Sequence, residues 1–186
     1  MKSGVRALGV AESYRRDTST LAGVVTRASR VTDGFVFGNC TVGGTDVTDG
    51  IIDLVERLDR EDVRYVFVGG IALAWYNVLD MHRLHEAVDR PVITVTFEES
   101  DGLRESLETE FSGDELDRRL ETYRTQPPRR ELAVDGETVF VRQVGMGEGD
   151  ARDVVRSFTP EGGRPEPLRV ARLAARAADE WRGETN

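Results

Sequence analysis

Val63-Arg-Tyr-Val-Phe-Val-Gly-Gly70 is the stretch whose reading decides the fold. Six largely apolar residues in a row, stopped by a glycine pair, fit a strand buried on both faces, and such strands belong to sheets covered by helices on either side. Working toward the C-terminus, residues 78–88 read as a helix. Residues 91–97 read as another buried strand that opens with Pro91, where a missing N–H does least harm. Toward the N-terminus, residues 45–58 place Val47, Ile51, Ile52, Val55 and Leu58 at helical spacing, with Thr45 or Asp46 able to cap the first turn. Ahead of that helix, residues 6–10, 20–26 and 35–42 read as strands, the last two joined through the turn signal Asp33-Gly34. The order β-β-β-α-β-α-β follows.

Further along, helices are expected within residues 103–123. A hairpin follows at 130–134 and 138–144 around Asp135-Gly136, then helices at 148–158 and 167–181. The two prolines at 127 and 128 mark a connector, and the size and core-forming content of residues 1–186 predict one domain. Three antiparallel strands followed by alternating helices and parallel strands make an α/β arrangement of the ribonuclease H-like kind, a mixed sheet with its first strand beside its fourth. Ligands of such sheets gather outside the carboxyl ends of those two strands. Function is therefore sought at residues 11–17 and 69–80.

Charge narrows the partners. Thirty-four acidic residues face 25 basic ones, giving a net charge of −9, and every basic residue except Lys2 is an arginine. That balance reads as salt adaptation, and it confines any RNA or DNA contact to a local arginine patch on an acidic body. No apolar stretch reaches membrane-spanning length and no signal-peptide core is present, so a cytoplasmic protein without a membrane partner is expected. The single cysteine, Cys40, excludes an internal disulfide and a cysteine-based zinc site.

Several residues are candidates for binding. Gly69 and Gly70 let a backbone approach a ligand closely, or simply allow a tight turn. Trp75 and Asn77 would suit stacking on a base and reading its edge, although an aromatic plug beneath the loop has the same composition. Arg15 and Arg16, and Arg129 and Arg130, are candidate phosphate contacts, while Arg169 and Arg172 share a helical face. His82 and His85 sit three apart, but without further histidine or cysteine they read as a solvated face rather than a zinc site. No nucleophile, base and acid constellation is present, which argues against acyl transfer.

Four strings carry a family resemblance: Arg6-Ala-Leu-Gly-Val, Gly43-Gly-Thr-Asp-Val-Thr-Asp, Gly69-Gly-Ile-Ala-Leu-Ala-Trp-Tyr-Asn-Val-Leu-Asp80 and Arg164-Pro-Glu-Pro-Leu-Arg-Val-Ala171. In this order they resemble the archaeal domain-of-unknown-function ninety-nine family, a distant relative of endonuclease V, over nearly the whole length. The resemblance implies a magnesium-dependent endonuclease acting on nucleic acid. It places carboxylates at the end of the first strand, the start of the first helix and the end of the fourth strand. Here those places hold Ala11-Glu12, Asp46 and Gly69. Glu12 and Asp46 are thus the candidate catalytic acids, and Glu12, Asp46 and Asp80 the candidate magnesium ligands. For Asp46 and Asp80, the ordinary preference of acids for helix starts explains the same positions. With Ala11 and Gly69 replacing two expected acids, the reading is a nucleic-acid-binding protein with a degenerate metal site. Its alternative is a non-catalytic module for a nucleotide or a protein.

Overall fold

The computed structural model describes residues 1–160 and 163–185. In chain order its elements are β1 (Arg6–Tyr14), β2 (Thr18–Arg27), β3 (Thr32–Thr41), α1 (Val47–Leu58), β4 (Val63–Val68), β5 (Ala72–Leu73), β6 (Asn77–Val78), α2 (Met81–Val88) and β7 (Val92–Thr96). These are followed by α3 (Arg104–Glu110), α4 (Gly113–Thr125), β8 (Arg130–Val134), β9 (Glu137–Val144), α5 (Glu148–Ser157) and α6 (Glu166–Thr185). Seven strands form one sheet in the order β3-β2-β1-β4-β7-β9-β8, and β5 pairs with β6 in a separate hairpin. The first three strands are antiparallel, β1 runs parallel to β4 and β4 to β7, and the C-terminal hairpin adds antiparallel strands at the far edge. This is the ribonuclease H-like order, with β1 central beside β4.

Period-two alternation sorts the side chains of β1 into two layers. Leu8 and Val10 enter the core shared with Ile51 and Leu54 of α1 and Leu84 of α2. Ala7 and Ala11 point the other way, toward clusters that contain Val155 of α5 and Leu168 and Ala171 of α6. Helix α6 crosses β1 at Gly9, where an added Cβ would overlap the carbonyl of Pro167. The absent side chain brings the first turn of α6 onto the strand.

Three local features depart from the sequence reading. Strand β1 continues to Tyr14, with Glu12 opposite Leu21 and Tyr14 opposite Ser19, so Glu12 lies in a strand rather than a loop. The second helix starts at Met81, because Asp80 is its N-cap and accepts from the backbone N–H groups of His82 and Arg83, each at 3.1 Å. Val78, expected in that helix, instead pairs with Ala72 in the small hairpin. Asp33-Gly34, read as the turn between the second and third strands, lies inside β3, where Gly34 pairs with Val25. The two helices expected within 103–123 are separated at Phe111, whose extended backbone sends its ring against Trp75 and Tyr76.

Candidate nucleic-acid interface at the strand ends

Gly69 N–H donates to the Val10 carbonyl at 3.1 Å, which sets Ala11 and Gly69 side by side just beyond the last paired residues of β1 and β4. An acid on each strand would converge here, and neither residue supplies one. Glu12 points to the α1 side of the sheet, where its Oε2 accepts from the Ser19 hydroxyl at 2.7 Å. Asp46 belongs to that side too. Its carboxylate accepts from the Thr41 N–H at 3.0 and 3.1 Å, from the Thr41 hydroxyl at 2.8 Å and from the Asn77 amide at 2.7 Å. Burial alone would raise its pKa, but these hydrogen bonds outweigh burial and hold it below the usual aspartate range. Between the two acids lies Cys40, buried, its thiol pushed up to about 12 by burial and by the charges of Asp46 and Glu12.

Asp80 is occupied with capping α2, and among the described residues no group of three or more His, Cys, Asp or Glu side chains is placed to hold a metal ion. Magnesium demands near-octahedral oxygen coordination at about 2.1 Å. The strand ends offer a methyl group and a glycine, so the residues present do not fit that ion. Asn77 has a structural task. Fully buried, it donates to Thr41 O and Asp46 and accepts from the Val47 N–H, locking the β5–β6 hairpin to the start of α1. That burial removes it from the expected binding pocket.

The hairpin turn itself is strained. Ala74, Trp75 and Tyr76 all have positive φ, at 43°, 56° and 60°, a left-handed run costing roughly 1–2 kcal/mol per residue. Buried Arg119 holds it by donating to the carbonyls of Tyr76, Gly43 and Gly44 while stacking 3.8 Å over Phe111. Trp75 is 43% exposed above this aromatic cluster. It is both a cover for the cluster and a surface ring.

Two clefts meet at Gly69. One, of about 290 Å³, lies toward β7 and includes Gly70 and Arg129. Arg129 stacks on Phe140 and donates to the Thr96 hydroxyl and to the Ser100 and Glu98 carbonyls. The other, of about 330 Å³, lies toward α6 and is lined by Ala11, Glu12, Tyr14, Arg164, Arg172 and Arg176, among others. Of the remaining candidate arginines, Arg130 pairs with Glu148 and Arg15 with Asp179 and Glu180, while Arg15 and Arg16 both edge a neighbouring hollow beside Arg182. Arg169 pairs with Glu166, but Arg172 enters the cleft. Arg164 and Arg176 escaped the sequence reading, since nothing in their local strings distinguishes them from the other arginines. His82 and His85 each bond a backbone carbonyl; His82 is exposed, and His85, half-buried, also packs against Gly145.

Fold and cleft define a ribonuclease H-like α/β protein with an arginine-rimmed depression at the ends of its first and fourth strands. Residues 3–179 match the family model described as Endonuclease dU, and the chain belongs to that family. A UPF0215 protein of Thermococcus kodakarensis is 31% identical, with 95% of this chain and 93% of that protein covered. One of Pyrobaculum aerophilum is 32% identical, with 94% of each covered. Among solved structures, a protein of unknown function from Archaeoglobus fulgidus superposes with a TM-score of 0.84 at 25% identity, covering 93% of this chain and 97% of that one. Human ENDOV superposes with a TM-score of 0.62 at 15% identity over 96% of this chain and 85% of its own. Endonuclease V of Ciona intestinalis, in complex with a 24mer DNA containing an inosine followed by a ribo-adenosine, gives 0.66 at 11% over 94% and 86%. The latter two likenesses concern the fold. No described helix is long and apolar enough to cross a membrane.

Proposed function

We propose that this chain binds nucleic acid, RNA or DNA, at the ends of β1 and β4 and does not cleave it in a magnesium-dependent reaction. The observation that carries the reading is the adjacent pair Ala11 and Gly69, which leaves the strand ends without the implied pair of carboxylates while arginines rim the same depression. A hard divalent cation in a cleft is held mainly by anionic oxygens, so losing two arms removes both occupancy and orientation of an attacking water. Guanidinium groups still neutralise phosphate. The DNA held by the Ciona intestinalis structure supports the choice of ligand.

Glu12, Asp46 and Asp80 remain the acids to test, and the sheet permits a direct reconstruction. A Cβ on Gly69 would meet only the Val10 carbonyl, at 3.8 Å, so the backbone there tolerates a side chain. Magnesium titration by calorimetry and a cleavage screen on inosine-containing and unmodified RNA and DNA should show no magnesium-dependent cutting by the native chain. The double variant Ala11→Asp, Gly69→Asp should gain magnesium binding. Cutting by the native chain that Glu12→Gln or Asp46→Asn abolishes would overturn the reading.

A further inference from the structure

We propose that Arg164, Arg172 and Arg176 form a phosphate site for a nucleotide unit, with Tyr14 as the stacking surface beside it. The proposal deepens the reading of this same cleft as a nucleic-acid interface and rests on it. Arg172 and Arg176 are one helical turn apart on α6, a spacing at which like charges repel. Arg164 approaches from the segment before α6 and is braced by stacking 3.9 Å over Phe97. Its pKa is lowered by burial and then by the charges of the other two arginines, which places all three within mutual influence.

Among the described residues none of the three has a carboxylate partner, although this chain has nine more acids than bases. Arg15, Arg130 and Arg169, by contrast, are all paired. Three neighbouring guanidinium groups kept apart from an abundance of acids are stabilised by an anion, and their planar donors match phosphate oxygens. The departures that disfavour magnesium favour this ligand. Carboxylates at positions 11 and 69 would repel a phosphate, whereas a methyl group and a hydrogen leave room for it. Glu12 also lines the cleft, but its carboxylate is drawn to Ser19 and leaves an excess of two positive charges.

Tyr14 is among the residues lining the cleft and is 42% exposed. A ring there suits a base attached to the held phosphate, because stacking tolerates every base. The volume, about 330 Å³, lies at the lower end of small-ligand pockets, roughly 300–1,000 Å³. That favours a single nucleotide unit at this point rather than a duplex.

The test uses the full chain in EDTA at constant ionic strength, with three probes: pyrophosphate, a mononucleotide and a fluorescent 5′-phosphorylated single-stranded hexanucleotide. The double variant Arg172→Gln, Arg176→Gln should bind all three about ten- to hundredfold more weakly and keep its melting temperature, since both side chains are exposed. Tyr14→Ala should weaken the mononucleotide and hexanucleotide but not pyrophosphate. Arg169→Gln, on the same helix but paired with Glu166, should bind like the native chain. An equal loss in Arg169→Gln would reduce the effect to general electrostatics and overturn the proposal, as would native-like binding by the double variant. Pyrophosphate and mononucleotide binding without hexanucleotide binding would leave the phosphate site standing and remove the nucleic-acid reading. Binding of no probe would remove both.

Discussion

Asp46 combines a helix start, a carboxylate held by four hydrogen bonds and a position implied by family resemblance for a metal ligand. Its bonds to Thr41 and Asn77 join β3, α1 and the β5–β6 hairpin, so its first duty is to the fold. Asp46→Asn would turn an amide toward those donors and should destabilise the protein by about 1–3 kcal/mol, with or without magnesium. Because its folded pKa is lowered, its stabilisation is complete above the ordinary aspartate value of about 3.9 and is lost as pH falls through the folded value. Chemical denaturation of the native chain and the variant should therefore differ at pH 7 and converge in acid. A difference that appears only with magnesium would assign Asp46 to metal binding instead. At this scale the sequence reading was uneven. Arg169 and Arg172 were legible as sharing a helical face, but only the fold shows that Arg172 lines the cleft while Arg169 pairs with Glu166. Asn77 was not legible as a buried lock, since amide side chains are more often exposed and only tertiary contacts reveal this one as saturated.

Elements were more legible than the side chains they carry, because hydrophobic periodicity reports burial directly. The run from Val63 to Val68 is the sheet's β4, and the β-β-β-α-β-α-β order follows around it. What failed had weak local signals. The last three residues of β1 are polar or exposed and pair only because β2 continues beside them. The left-handed turn at Ala74-Trp75-Tyr76 contains no glycine or asparagine within its three residues, so composition gives no sign of it. The junction of α6 with β1 is another such feature. It depends on Gly9, whose added methyl group would meet Pro167 backbone. Gly9→Ala should cost about 1–3 kcal/mol through overpacking, and it should shift α6 enough to weaken phosphate binding by Arg172. Thermal melts and pyrophosphate titration measure the two effects. Unchanged stability would show that α6 can retreat freely, and the rigid placement of the arginines would then be wrong.

Across the whole molecule, a net charge of −9 coexists with a cluster of arginines at one end of the sheet. Polyanions should approach that end and be repelled elsewhere, which makes the orientation of binding electrostatic and its strength dependent on salt. The family model matches residues 3–179, and the strand ends, where the resemblance implies carboxylates, carry Ala11 and Gly69 beside arginines. Affinity is then independent of magnesium, because no bridging ion takes part. The direct measurement is fluorescence anisotropy of a labelled single-stranded oligonucleotide at constant ionic strength, once in EDTA and once with magnesium, with the probe's length checked afterwards on a gel. The account predicts dissociation constants equal within about twofold and an intact probe. Binding that needs magnesium, or a probe shortened only in its presence, would contradict it.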